Sequence, residues 1–184
     1  EIIKPSFYNL NDFSENMAAF MQNNKYGFIN KQGFTVIAPV FTWVSGFKNG
    51  QCRVKIDNRL GVINKKGDFI IEPQYDVIEE PFKGIYLVVK NNLYGFIDST
   101  GCYLSEIKYT YNPSLRTTDL TNGIYMRLLK DNKEELQDKN GIKYFSAEKF
   151  TQIQLSEKDI IVGLKKNKFQ FYSINKTTLP KTIY

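Results

Sequence analysis

Histidine is absent from the 184 residues. That absence removes the commonest general base, the commonest metal ligand and every catalytic triad built on imidazole. Cysteine is scarce. Cys52 and Cys102 stand far apart, without the spacing of a zinc site or a redox motif, and they say nothing about compartment. Arginine is rare, 4 residues against 21 lysines, a poor composition for reading bases or gripping phosphates bidentately. No apolar run approaches the roughly 18 residues that a membrane-crossing helix needs. Glycines fall singly, so no phosphate-cradling loop is present. Glu79-Glu80 and Glu134-Glu135 are the adjacent acid pairs. Neighbouring strand residues point to opposite faces, so neither pair can flank one bond as a glycosidase requires. The expectation is a chain with no catalytic residue, no metal and no cofactor.

What is present argues for a folded β protein. The chain is 42% hydrophobic and 24% charged, near globular averages. Aromatics reach 15%, with 14 Phe and 12 Tyr, and ring-bearing residues favour strands. The net charge of +6 is spread, its longest runs being pairs such as Lys65-Lys66 and Lys165-Lys166. Together with 17 Asn it reads as a coding bias rather than a nucleic-acid face, and no specific nucleic acid is expected. Cys52 alternates with Val54 and Ile56 on one face and reads as a small buried hydrophobe. The chain opens at Glu1 rather than Met, so an upstream piece is expected to have been removed. On that ground export or the cell envelope is favoured.

An internal repeat organises the chain. Tyr26-Gly27-Phe28-Ile29-Asn30-Lys31-Gln32-Gly33 returns as Leu60-Gly61-Val62-Ile63-Asn64-Lys65-Lys66-Gly67, and again as Tyr94-Gly95-Phe96-Ile97-Asp98-Ser99-Thr100-Gly101. The interval is 34 residues each time. Val36-Ile37-Ala38-Pro39-Val40-Phe41, Ile70-Ile71-Glu72-Pro73-Gln74-Tyr75 and Leu104-Ser105-Glu106-Ile107-Lys108-Tyr109 follow in the same register, the third without its proline. Two weaker copies begin at Glu134 and Phe169.

Each copy reads as a short meander. Strand one, Gln51 to Ile56 in the second copy, leads to a tight turn at Asp57-Asn58. Asn23-Asn24, Asn91-Asn92, Asp131-Asn132 and Lys166-Asn167 match it, and Asn and Asp tolerate the left-handed conformations of a two-residue hairpin. Strand two is the Tyr-Gly-Phe-Ile core. An Asx-capped type I turn with a glycine at positive φ comes next. Strand three is the Val-Ile run, ended by a proline that cannot donate to a ladder. Residues 112–121 read as a longer loop inserted into the fourth unit, a place where specificity can sit.

The core, the preceding Phe-x-x-Gly and the following Val-Ile-x-Pro-x-Phe/Tyr together resemble the WG repeats of bacterial proteins. The resemblance covers essentially the whole chain, closely over residues 13–110. The name-giving Trp is replaced throughout, by Tyr26, Leu60, Tyr94, Glu134 and Phe169. It implies a repeat scaffold, sometimes joined to enzymes or placed in the cell envelope, with no catalytic residue to carry over.

The expected architecture is all-β, one repeat domain over 1–184, with five three-stranded antiparallel meanders in a curved or closed array. Residues 111–184 hold the degenerate repeats, and a propeller-like ring is the rival arrangement. Tyr26 and Tyr94 read first as core ladders between units and second as exposed stacking rings. Lys25, Arg59, Lys133 and Lys168 share one slot after the tight turn. They read first as edge charges that discourage aggregation and second as a basic rim. These six residues are the candidate binding surface. The functional expectation is a non-enzymatic scaffold whose partner is a protein; the alternative is a carbohydrate or cell-wall module that uses aromatic hairpins.

Overall fold

In this computed structural model the described residues are 9–110, 117–120, 123–130, 133–138, 140, 143–145, 152–155, 160–165, 168–173 and 181–182, with side chains described over 9–110, 136–138 and 140. Every regular element among them is a strand. β1 (Met17–Gln22), β2 (Lys25–Asn30) and β3 (Thr35–Phe41) make the first sheet. β4 (Trp43–Val44), β5 (Gln51–Ile56), β6 (Arg59–Asn64) and β7 (Phe69–Tyr75) make the second. β8 (Val77–Ile78), β9 (Ile85–Lys90), β10 (Leu93–Asp98) and β11 (Tyr109–Thr110) make the third. The fourth holds β12 (Thr117–Leu120), β13 (Gly123–Lys130), β14 (Lys133–Asp138) and β15 (Lys143–Phe145). The fifth holds β16 (Gln152–Leu155), β17 (Ile160–Lys165), β18 (Lys168–Ser173) and β19 (Lys181–Thr182). The all-β array of antiparallel meanders is thus present, one sheet per repeat. The domain read over 1–184 divides into two compact units, Glu1–Asn91 with Ile97–Cys102, and Asn92–Phe96 with Tyr103–Tyr184.

Four of the five sheets carry four strands rather than the expected three. The extra strand is short. Trp43 and Val44 pair with Lys55 and Val54, so the residues that follow one repeat's last strand open the next repeat's sheet. Val77 and Ile78 do the same against Val89 and Val88. Two-residue strands carry no periodicity, which is why the sequence does not announce them. Part of the expected loop over 112–121 is also a strand: Thr117–Leu120 pairs with β13, and the rest of that loop lies outside the described residues.

Turn chemistry follows the sequence closely. Asn23, Asn24, Asp57, Asn58, Asn91 and Asn92 all have φ between 45° and 66°, the left-handed pair that a two-residue hairpin needs. Gly33, Gly67 and Gly101 have φ of 82°, 92° and 88°. Asn64 Oδ1 accepts the N–H groups of Lys66 (2.8 Å) and Asp68 (3.1 Å), while the Asn64 carbonyl accepts from Gly67 (3.0 Å). Asn30 and Asp98 make the same bonds in their repeats. In the fourth, Asp138 Oδ1 accepts from Asn140 at 2.8 Å. The Asp131-Asn132 and Lys166-Asn167 turns lie outside the described residues.

The proline has a different role from the one expected. Pro39 and Pro73 lie inside β3 and β7, not at their ends. Tyr26 pairs with Phe41 and Phe28 with Ile37, so two residues of β2 face four of β3 and the excess bulges outward. β6 and β7 repeat that shift between Leu60–Tyr75 and Val62–Ile71. A proline at a bulge surrenders no ladder hydrogen bond. The bulge drapes over the core glycine. A Cβ on Gly61 would lie 2.6 Å from the Ile71 carbonyl oxygen and 2.9 Å from the Pro73 nitrogen, and Gly27 is as tightly roofed.

Apolar faces join successive repeats within the first unit. Met17, Ala19, Phe28, Ile37 and Phe41 of the first repeat share one core with Val44, Phe47, Cys52, Val54 and Ile63. The Phe28 and Phe47 rings meet edge to face at 4.8 Å. The turn glycines of the second and third repeats seat on the isoleucine strand before them, Gly67 over Ile37 and Gly101 over Ile70 and Ile71. Burying a side chain of this size contributes about 1.5–3 kcal/mol, whereas an exposed ion pair such as Lys48–Glu80 adds about 0–1 kcal/mol. Apolar stacking therefore dominates.

Two glycine substitutions separate the two constraints. Gly67→Ala meets only ordinary contact with Ile37 but keeps a left-handed backbone, so it is expected to cost about 1 kcal/mol. Gly61→Ala must displace the backbone of β7 and is expected to cost clearly more. Urea unfolding midpoints of the two variants check the order; equal costs would contradict the account of the bulge.

Candidate interaction surface

The hairpin ends place the basic residues. Lys25 opens β2 opposite Gln22, Arg59 opens β6 opposite Ile56, Lys133 opens β14 opposite Lys130, and Lys168 opens β18 opposite Lys165. The common slot is therefore real on the backbone. The side chains of Lys133 and Lys168 lie outside the described residues. Lys25 is half-buried. Arg59 is already engaged by the Asp76 carboxylate, whose other oxygen accepts the Asn91 N–H at 2.7 Å. Arg59 thus ties the hairpin tip of the second repeat to that of the third.

The aromatic candidates divide the same way. Tyr94 is fully buried against Phe96 and Tyr109, its ring centroid 5.9 and 5.7 Å from theirs. It belongs to the core and drops out of the candidate surface. Tyr26 is half-buried and packs on the core that the first two repeats share. Tyr75, Tyr86 and Tyr109 are buried too, and Tyr103 is the exposed tyrosine among those described.

The exposed apolar side chains lie elsewhere. Phe34, Val36, Val40 and Trp43 are 69%, 42%, 49% and 42% exposed, all on the β3–β4 limb. Residues 33–46 carry no charge at all. The equivalent limb of the second repeat, residues 67–80, holds Asp68, Glu72, Asp76, Glu79 and Glu80 and no base. The sequence reading missed this contrast because it weighed residues by repeat slot. A charge count limb by limb would have found it.

A polar seam lies where the second and third repeats meet. Arg53 donates to the Ile78 carbonyl (3.0 Å) and to Glu80, which also receives Lys48. Tyr86 donates to Gln51 Oε1 at 2.7 Å, and Gln51 Nε2 donates to the Ser99 carbonyl at 2.8 Å. The seam closes on itself. Beside it, burial pushes the Cys52 thiol from 9.0 up to about 11, against the lowering effect of its hydrogen bonds with Ser45. Burial likewise pushes the Tyr86 phenol from 10.0 up to about 12. A thiol held so firmly protonated is no nucleophile at neutral pH.

The family described as "WG containing repeat" matches residues 1–26, 26–59 and 61–94. No curated protein matches the chain. Among solved structures, Kluyveromyces lactis Hsv2 (complete loop 6CD) is 6% identical at a TM-score of 0.41, over 91% of this chain and 59% of that one. Apo AztD from Citrobacter koseri is 10% identical at 0.35, over 95% and 61%. The extracellular domain of the putative hybrid two component system BT3049 from B. thetaiotaomicron is 10% identical at 0.35, over 97% and 28%. The chain thus spans less than two thirds of each of these.

Both raised acids make the fold alkali-sensitive. Between pH 9 and 12 the unfolded chain releases the Cys52 and Tyr86 protons while the folded chain keeps them, so stability falls as pH rises through that window. Below pH 9 neither group contributes a slope. Cys52→Ala is expected to flatten the decline between pH 9 and 11, and Tyr86→Phe the portion that runs on to 12. Urea midpoints measured across pH 8 to 11.5 check this; an unchanged slope in both variants would refute it.

Proposed function

The chain belongs to the WG repeat family, and from that premise we propose that it is a non-enzymatic scaffold presenting a protein-binding surface, centred on the uncharged limb of residues 33–46. One observation carries the reading. Four large apolar side chains stand exposed within ten residues, Phe34 just before the edge strand β3, Val36 and Val40 on it and Trp43 on β4, the edge of the next sheet, in a chain that is otherwise a quarter charged. Solvated edge strands are usually blunted by charge, and exposed apolar clusters mark interaction sites. Pro39 sits in the bulge of β3, which blunts the edge as a template for its own kind while leaving the side chains on view. At the hairpin cores Tyr94 is buried and Tyr26 half-buried, which weighs against the carbohydrate reading, since that reading needs those rings exposed. The lack of histidine and the protonated Cys52 support a role without catalysis.

At two of its three positions the test borrows residues that the chain already uses in the equivalent slots. Phe34→Asp copies Asp68, Val40→Gln copies Gln74, and Val36→Thr keeps the shape of valine. All three positions are exposed, so the melting temperature of the triple variant should stay within a few degrees of wild type. Capture of native partners, compared by quantitative pull-down with wild type and variant, should lose at least one protein. If every protein recovered with wild type is recovered equally with the variant, the limb is not the binding surface.

A further inference from the structure

A single row of residues crosses the second sheet: Trp43 pairs with Lys55, Lys55 with Leu60, and Leu60 with Tyr75. Directly opposed residues share a face, so these four side chains stand side by side. In the first repeat the slot of Leu60 holds Tyr26, which fills its place against the core shared with the second. In the third repeat it holds Tyr94, with no exposed surface at all. Leucine is shorter than tyrosine. Where the second repeat lacks the ring, the surface sinks into a depression of about 410 Å³ lined by Thr42, Trp43, Lys55, Asn58 and Leu60.

We propose that this depression is a peptide-binding site that takes one aromatic side chain of a partner flanked by acidic residues. The proposal rests on the protein-binding reading above and names the partner's chemistry. Leu60 and the exposed indole of Trp43 offer an apolar floor and wall for a ring, the kind of concave anchor site at which aromatic residues concentrate binding energy. The space is the one that the chain fills with its own tyrosine in the neighbouring repeats. Charge sets the flanks. Lys55 is the charged residue in the lining, and among the described residues it has no ion-pair partner. Residues 42–66, which build the site, contain six bases (Lys48, Arg53, Lys55, Arg59, Lys65 and Lys66) against the single acid Asp57. Lys48 and Arg53 are answered by Glu80, Arg59 by Asp76 and Lys65 by Glu15, so the positive charge at the depression is that of the unpaired Lys55. The Arg53 guanidinium carbon lies 5.9 Å from the Trp43 ring centroid, a contact that holds the indole in place. An acidic segment is complementary and a basic one is repelled.

Trp43 is the only tryptophan in the chain, so its fluorescence reports directly on occupancy. The probe is the peptide acetyl-Glu-Asp-Phe-Asp-Glu-amide, titrated alongside one with Ala for Phe and one with Lys for every acid. The first should shift the Trp43 emission with saturation, and the other two should bind about tenfold or more weaker. Lys55→Ala should weaken binding of the first and flatten its salt dependence. Leu60→Tyr restores the ring of the neighbouring repeats, so it should leave the melting temperature near wild type and abolish the response. Three peptides that titrate alike, no response from the first, or full binding by a folded Leu60→Tyr variant would each overturn the site. Should Leu60→Tyr prove unstable, the Lys55→Ala titration decides alone, with unchanged affinity and salt slope counting against the site. The limb variant leaves every lining residue intact. Loss of its partner capture with no peptide response therefore defeats this site and spares the broader reading. A peptide response with unaltered partner capture does the reverse.

Discussion

In the first two meanders the third strand passes over the second at a distance that only a glycine permits. Gly27 and Gly61 have carbonyl oxygens of the partner strand 2.5 and 2.6 Å from where a Cβ would be. Because the strand is draped there, its register shifts, and the excess residues bulge around Pro39 and Pro73. The shift then decides which side chains of β3 and β7 turn inward. Ile37, Phe41, Ile71 and Tyr75 are buried while Val36, Val40 and Phe69 are not. A one-residue slip in β3 would turn Val36 and Val40 inward in place of Ile37 and Phe41 and break the apolar face that neighbouring repeats share. The same bulge survives in the fourth repeat, where Leu136 pairs with Phe145 and Gln137 with Lys143, although Glu135 occupies the glycine slot.

Stacking and display are complementary outcomes of that register. The inward set builds a core in which the turn glycine of one repeat rests on the isoleucine strand of the one before. The outward set is free to differ. The first repeat makes its limb uncharged and apolar, the second makes it acidic, and the fold tolerates both because neither set touches the core. The proposed binding surface draws on those outward positions and on a departure from the repeat, Leu60.

The polar contacts act as registers between repeats more than as sources of stability. Glu15 accepts from Gly50 at 2.9 Å and pairs with Lys65 at 3.0 Å, and the Lys65 ammonium holds its carboxyl below the usual carboxylate range. Between the second and third repeats, Arg53 with Glu80 and Tyr86 with Gln51 serve the same purpose. Exposed pairs of this kind add little energy each, but their geometry admits one alignment of neighbouring sheets.

Much of this was legible in the sequence. The period of 34, the hairpin pairs such as Asp57-Asn58, and the Asx turns closed by Gly33, Gly67 and Gly101 depend on residues within a few positions of one another, where backbone preference decides. Other features were decided by groups brought together across the repeats. Whether Arg59 is a rim charge or a tie depends on Asp76, 17 residues on. Whether Tyr94 is displayed or buried depends on Tyr109, its partner on the next strand, and the place of Pro39 within β3 depends on the approach of Gly27. The two-residue strands β4 and β8 exist only because the next repeat offers them an edge. The depression beside Trp43 exists because strands from different stretches of the repeat bring a short side chain to a place where its equivalents are long. Local chemistry wrote the turns; long-range contact alone settled which side chains were left facing water, because burial belongs to the assembled sheets and not to any one segment.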